Sequence, residues 1–384
     1  MTQENKASEA FIASNIHIPV QKYATDAFSV LNKIFVGYTV SDRFGILNPQ
    51  SSLNIANTGA SKPTKFNKLP PLTDLIDKRA KEIVSKYKSI VVVCLKGIID
   101  DVVLLSAIIS HMTDDNTVNV YIADCAASNN PEILKFLKNH SVQIHQSSNI
   151  DIWDDIGECE CDVIVTSFGG THLVSGYPAI RSKSYDETVT LCETPWREGL
   201  RTAISNKLPY IAQQLNEDET IKIINDIENA CMQYINYFDI EITTFGDLAR
   251  LMAWGLTRQQ TAYLSTLKIA KYPNNRNKAI SFFDDDSFDS WFLSSLNSEE
   301  YSTDSQIRLS VLTDYTKTHG YLDQINVQID GTEMKCGKPA TRSIVVLTDN
   351  GFKKFTMTNG DLTCGICANK IYNAIRDFFS KANI

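Results

Sequence analysis

The spacing of apolar residues changes character along the chain. Leu75, Ile76, Ala80, Ile83 and Val84 recur at helical intervals within Leu72 to Tyr87. Ile90 to Leu95 is a continuous apolar run, the pattern of a strand buried on both faces. Asp100 to His111 is apolar nearly all round and predicts a helix sandwiched between layers. Thr117 to Ala123 predicts a second strand, and Pro131 to Asn139 a helix with proline at its start. Val142 to His145 and Asp162 to Ser167 predict two more short strands. Strands alternating with helices imply parallel pairing through right-handed crossovers. The expected fold class is α/β, a parallel doubly wound sheet.

Past about residue 190 the period becomes helical throughout. Pro195 to Leu215, Glu219 to Tyr237, Phe245 to Trp254 and Arg258 to Ala270 all carry it. Ile34 to Leu47 alternates around Ser41-Asp42 and predicts a hairpin, whereas Asn48 to Pro71 reads as a linker. Beyond Gln324 the signal is β, with Asp349-Asn350-Gly351 as a hairpin turn and an amphipathic helix from about Ala368 to Ala382. The pattern predicts four segments: an extension with the hairpin over 1–70, an α/β core over 71–190, a helical half over 191–320, and a C-terminal hairpin and helix over 321–384.

Composition narrows the function classes. The formal net charge is −8, which argues against a general affinity for nucleic acid or anionic membrane. No apolar run reaches the roughly 18 residues of a membrane helix. The N-terminus lacks the basic start and apolar core of a signal peptide. Nine scattered cysteines, an odd count, do not form a disulfide framework and fit a reducing compartment. The expectation is a soluble cytoplasmic protein.

Candidate chemistry begins at VVVCLKGIIDDVVLL. A strand leads into a turn, and a helix opens at about Asp100. Helix N-termini attract phosphate through free N–H groups and the dipole. Asp100 and Asp101 bring negative charge to that end, so they either cap the helix or hold Mg²⁺ beside a phosphate. Lys96 can offer a phosphate a point charge. A second stretch, DVIVTSFGGTHLVSGYP, places Gly169, Gly170, Thr171 and His172 after another buried strand.

The first stretch resembles the pyrophosphate loop of the ATP pyrophosphatase superfamily (PP-loop, HUP fold, adenine nucleotide alpha-hydrolase-like), whose pattern is Ser-Gly-Gly-x-Asp-Ser. Gly97 and Asp100 match, while Lys96, Ile98 and Asp101 stand where the family has Ser, Gly and Ser. The second resembles the asparagine synthetase segment that runs to Gly-Tyr-Pro, with Gly169, Leu173, Gly176, Tyr177 and Pro178 in register. Thr171 and His172 stand where that family carries an acidic pair. A third, AISFFDDDSFDSWFLSSL, is similar to the family's Pro-Phe-Leu-Asp segment, with Phe282 and Asp284 matching. The resemblance spans about residues 70–320.

It implies a nucleotide site built from Lys96, Gly97, Asp100, Asp101, Gly169, Gly170 and Thr171. ATP is the implied cofactor, with Mg²⁺ held by Asp100 and Asp101. Two readings stay open. One is a degenerate, asparagine synthetase-like pseudoenzyme that binds a nucleotide, a protein partner or a second copy of itself. The other is an active AMP- and pyrophosphate-forming C–N ligase that adenylates a carboxylate and uses ammonia or another amine, with Lys96 and His172 as candidate catalytic groups. Position 2 is Thr2, not the cysteine of glutamine-using relatives, so glutamine-derived ammonia is not expected.

Three further clusters stand apart. Cys364 and Cys367 form a C-x-x-C which, with Cys336 and His319, has the donors for Zn²⁺. Cys159 and Cys161 fall on one side of an extended segment and offer a thiol pair for metal. Arg197 and Arg201 lie one helical turn apart, either on a solvated face beside a buried Trp196 or against a phosphate or partner.

Overall fold

The computed structural model describes residues 44, 46–47, 62–148, 152–170, 173, 190–211, 217–269, 272–275, 277–296, 298, 305–320, 342–348 and 351–357. The chain divides into two compact units. Described residues of Pro63–Ser175 and Thr261–Cys336 make one, and those of Met1–Lys62, Gly176–Gln260 and Gly337–Ile384 make the other.

The first unit is built on five parallel strands: β1 (Ser89–Cys94), β2 (Thr117–Ala123), β3 (Gln143–Ser147), β4 (Val163–Thr166) and β5 (Ala279–Ser281). Their order is β3-β2-β1-β4-β5. Ile90 to Cys94 are buried because β1 is central, with β2 paired on one side and β4 on the other. Each fully buried Val or Ile there contributes about 1.5–3 kcal/mol. The direction of strand addition reverses between β1 and β4, so the crevice at their carboxyl ends is a topological switch point.

Helices connect the strands as parallel pairing requires. Leu72, Leu75, Ile76, Ala80, Ile83 and Val84 form the buried stripe of α1 (Leu72–Lys86). Helix α2 (Ile99–His111) is buried from Ile99 to Ile109, as its all-round apolarity predicts. Short helices α3 (Asp124–Asn129), α4 (Glu132–Lys138) and α5 (Ile152–Glu158) follow β2 and β3. Asn275 caps the last of these by donating to the carbonyls of Ile156, Gly157 and Cys159 at 2.8–3.2 Å.

In the second unit, α6 (Trp196–Ile211) and α7 (Glu217–Phe238) carry the expected helical period. Trp196 is buried, while Arg201 is exposed and ion-paired with Glu228 at 2.6 Å, so this face is solvated. Helix α8 (Phe245–Ile269), whose residues from Thr261 on belong to the first unit, is continuous where the spacing predicts two helices. Gly255 marks the expected break, yet it sits inside the helix because the Tyr234 ring packs onto it. A Cβ there would lie 2.3 Å from that ring.

Helices α9 (Asp286–Ser295) and α10 (Ser305–Thr318) belong to the sheet-bearing unit. Strands β6 (Arg342–Thr348) and β7 (Gly351–Met357) pair antiparallel, Thr348 opposite Gly351, on either side of the expected turn. The hairpin expected over Ile34 to Leu47, apart from Phe44, Ile46 and Leu47, and the C-terminal helix lie outside the described residues. No helix among the described residues is long and apolar enough to cross a membrane.

Candidate functional site at the switch point

The turn after β1 runs from Leu95 to Ile98, and α2 begins at Ile99 with Ile98 as its N-cap. Gly97 has φ +69°, in the left-handed region that favours glycine. Close packing fixes it as well, because a Cβ on Gly97 would lie 2.5 Å from the Ala126 carbonyl oxygen.

Asp101, in the first turn of α2, reaches back over this turn. Its Oδ2 accepts the backbone N–H groups of Lys96 at 2.8 Å and Gly97 at 2.7 Å. Its Oδ1 accepts the Ser167 hydroxyl at 2.5 Å. The side chain thus closes the first loop and ties it to the second. The carbonyls of the turn are engaged too. Leu95 accepts the Cys125 thiol, Lys96 accepts Asn129 and Gly97 accepts Asn130, all from the segment after β2. Beneath the turn, burial and then the Asp101 charge hold the Cys94 thiol well above its ordinary range.

Gly169, after β4, has φ +92°. At Gly170 a Cβ would stand 2.6 Å from the Phe283 ring and 2.8 Å from the Asp100 carboxyl carbon. Asp100 and Phe283 therefore occupy the space beside a glycine. Asp100 is 3% exposed and Asp101 2%, whereas Lys96 is exposed. Its ammonium makes no ion pair with a described residue.

The third stretch arrives through β5. Ser281 donates its hydroxyl to the Phe168 carbonyl, and the Phe282 N–H donates to the Thr166 carbonyl at 2.8 Å. Asp285 caps α9 by accepting the Ser287 N–H and also meets Arg79 at 3.4 Å.

Three stretches widely separated in sequence thus meet at the carboxyl ends of β1, β4 and β5. Lys96, Gly97, Asp100, Asp101, Gly169 and Gly170 are all brought there. Thr171 and His172 lie outside the described residues, as do Cys336, Cys364 and Cys367. His319 is placed elsewhere, beside Asp77 and His111. Ser167, Asn129, Asn130 and Phe283 complete the switch point without a signal in the spacing, because each acts through a neighbour remote in sequence.

The opposite ends of the strands hold a cavity of about 940 Å³, lined in part by Cys159, Cys161, Tyr272, Asn275 and Lys278. Hydrogen bonding from Cys161, with help from Tyr121 and Lys278, brings the Cys159 thiol down to about 7, against the burial that raises it. The partner thiol, Cys161, is pushed up.

No known protein family and no curated protein matches this chain.

Proposed function

We propose that the chain is a divergent, asparagine synthetase-like protein of the ATP pyrophosphatase type whose pyrophosphate loop no longer grips phosphate. On this reading it acts by binding rather than by adenylating a carboxylate. The observation that carries it is the Asp101 carboxylate on the N–H groups of Lys96 and Gly97. Backbone N–H groups at a helix start are the donors a phosphate oxygen needs. An internal carboxylate on those donors competes with phosphate in both place and charge. With two N–H bonds and the Ser167 hydroxyl, Asp101 also has little capacity left for Mg²⁺. Ile98 adds a branched side chain at the position where the family's backbone is bare.

The HUP-type doubly wound arrangement belongs to the same proposal. The strand order and the location of the loops at the switch point favour it. A second reading, an active AMP-forming C–N ligase, has one observation in its favour. Exposed Lys96 stands at the rim of the loop, where a phosphate would meet it.

Calorimetry with ATP and Mg²⁺, on wild type, Lys96→Ala and Asp101→Ser, separates the readings. The proposal expects no phosphate-dependent binding by wild type. It expects binding to appear in Asp101→Ser, where the loop N–H groups are released from a charge. Adenosine and ATP binding wild type equally would also fit, as nucleoside binding without a phosphate grip. Wild-type ATP binding that weakens about tenfold or more in Lys96→Ala, with pyrophosphate released on adding carboxylates, would overturn it.

A further inference from the structure

Away from the switch point, one cluster gathers side chains of metal-ligating type. Asp77 in α1, His111 at the last position of α2 and His319 just past α10 each place a ligand atom within 4.8 Å of the others. His111 Nε2 lies 3.0 Å from Asp77 Oδ1, and His319 Nε2 lies 3.8 Å from the same oxygen. Tyr315 donates its hydroxyl to that oxygen at 2.6 Å and packs its ring on His319, centroids 4.1 Å apart.

The far nitrogen of His319 settles its tautomer. Nδ1 lies 2.8 Å from the Tyr315 backbone carbonyl, which can only accept, so Nδ1 carries a proton. In the neutral ring, Nε2 then presents a lone pair beside a carboxylate oxygen. A ligating histidine ordinarily has its other N–H held by a carbonyl or carboxylate in just this way. Helix electrostatics act in the same sense. Helix α2 ends at His111 and α10 ends at Thr318, so the negative ends of two helix dipoles stand at the cluster.

We propose that Asp77, His111 and His319 bind a divalent transition metal of the Zn²⁺ class, with solvent at the fourth position. Two imidazoles and one carboxylate suit zinc rather than Mg²⁺ or Ca²⁺, which prefer all-oxygen shells. Tetrahedral bonds of about 2.0–2.1 Å set neighbouring ligand atoms roughly 3.3 Å apart. The two observed separations from Asp77 Oδ1 bracket that value. The three side chains are 31%, 17% and 22% exposed, open enough for a water ligand. Metal binding displaces the Nε2 proton that His111 otherwise donates to Asp77 and bolts α1, α2 and the end of α10 together. This cluster shares no residue with the switch point.

The test uses the full chain, stripped with a chelator and dialysed. Zn²⁺ is titrated by calorimetry into wild type, Asp77→Asn, His319→Ala and Tyr315→Phe, with circular dichroism confirming that each is folded. Co²⁺ serves as a spectroscopic substitute. One zinc per chain is expected, with affinity falling about tenfold or more in His319→Ala and Asp77→Asn. Tyr315→Phe keeps all three ligands and should still bind. The cobalt spectrum should show visible bands without a thiolate charge-transfer band. A thiolate band would assign the metal to cysteines and overturn the proposal. So would undiminished affinity in both ligand variants, or no zinc binding by wild type at micromolar metal.

Discussion

Two regions of the sheet-bearing unit hold acidic side chains beside helix ends, and they treat them in opposite ways. At the switch point, Asp101 is 2% exposed and its oxygens are taken by two backbone N–H groups and a hydroxyl. At the three-helix cluster, Asp77 is about a third exposed and its partners are two imidazoles and a phenol. One carboxylate is an internal fastener, while the other is poised for exchangeable cations. The contrast teaches that a carboxylate at a recognisable motif can be the less available one. What decides availability is whether its acceptor sites face backbone donors, which never leave, or titratable groups, which can yield to a metal.

Removing each carboxylate is the sharpest way to break this contrast. Asp101→Ala leaves the buried Gly97 N–H, the part-buried Lys96 N–H and the buried Ser167 hydroxyl without the carboxylate. It should cost about 3–5 kcal/mol in urea denaturation. Asp77→Ala should cost no more than about 1 kcal/mol without metal, because its pairs are partly exposed and screened. Equal losses would erase the distinction between fastener and open site. A smaller effect is expected at the glycine that lets the two loops touch. In Gly170→Ala the new methyl meets the Phe283 ring and the Asp100 carboxyl. Overpacking of this kind costs about 1–3 kcal/mol. Trimming the ring with Phe283→Leu in the same chain should recover part of that loss. Strict additivity of the two substitutions would mean that the loops adjust elsewhere.

Much of the α/β core was legible from spacing, because periodicity reports burial directly. The Thr117–Ala123 strand falls where the pattern puts it, and α1 and α2 differ from expectation by a residue at one end. Strand β5 was not legible, since three residues are too few to show alternation. The Asp124–Asn129 and Ile152–Glu158 helices are likewise too short for an apolar stripe. At the site, the after-strand rule located Gly97, Asp100, Asp101, Gly169 and Gly170 correctly at the strand ends. It could not assign their work. The bond from Ser167 to Asp101 joins positions 66 apart, and Tyr315 meets Asp77 across 238. Such partners follow from the order of the strands and the packing of helices, which no local pattern encodes. His319 illustrates this. The C-x-x-C pattern suggests it as a partner of cysteines that lie outside the described residues, and only the packing at the end of α10 shows it beside Asp77 and His111.

The smallest expected effect is a pH dependence at Asp77. Burial alone would raise its carboxyl, but the Tyr315 hydroxyl, His111 and the charge of His319 outweigh it and hold the group below the usual carboxylate range. A folded value below the unfolded one, about 3.9 for Asp, gives a stability contribution fully present above about pH 4. That contribution is lost as pH falls through the folded value. With the group about a third exposed, it amounts to less than about 1 kcal/mol. Tyr315→Phe removes the largest of the lowering influences, so it should flatten the acid limb of stability while costing most near neutrality. Urea midpoints from pH 7 downward, measured in chelator, should show the two curves converging in acid. Coincident curves would mean that the Tyr315 hydroxyl does not hold the Asp77 carboxyl down and that only its ring against His319, which phenylalanine keeps, supports the fold. The metal-free Asp77 carboxylate would then be held by its imidazoles alone, and the His111 pairing that zinc displaces would carry most of the lowering.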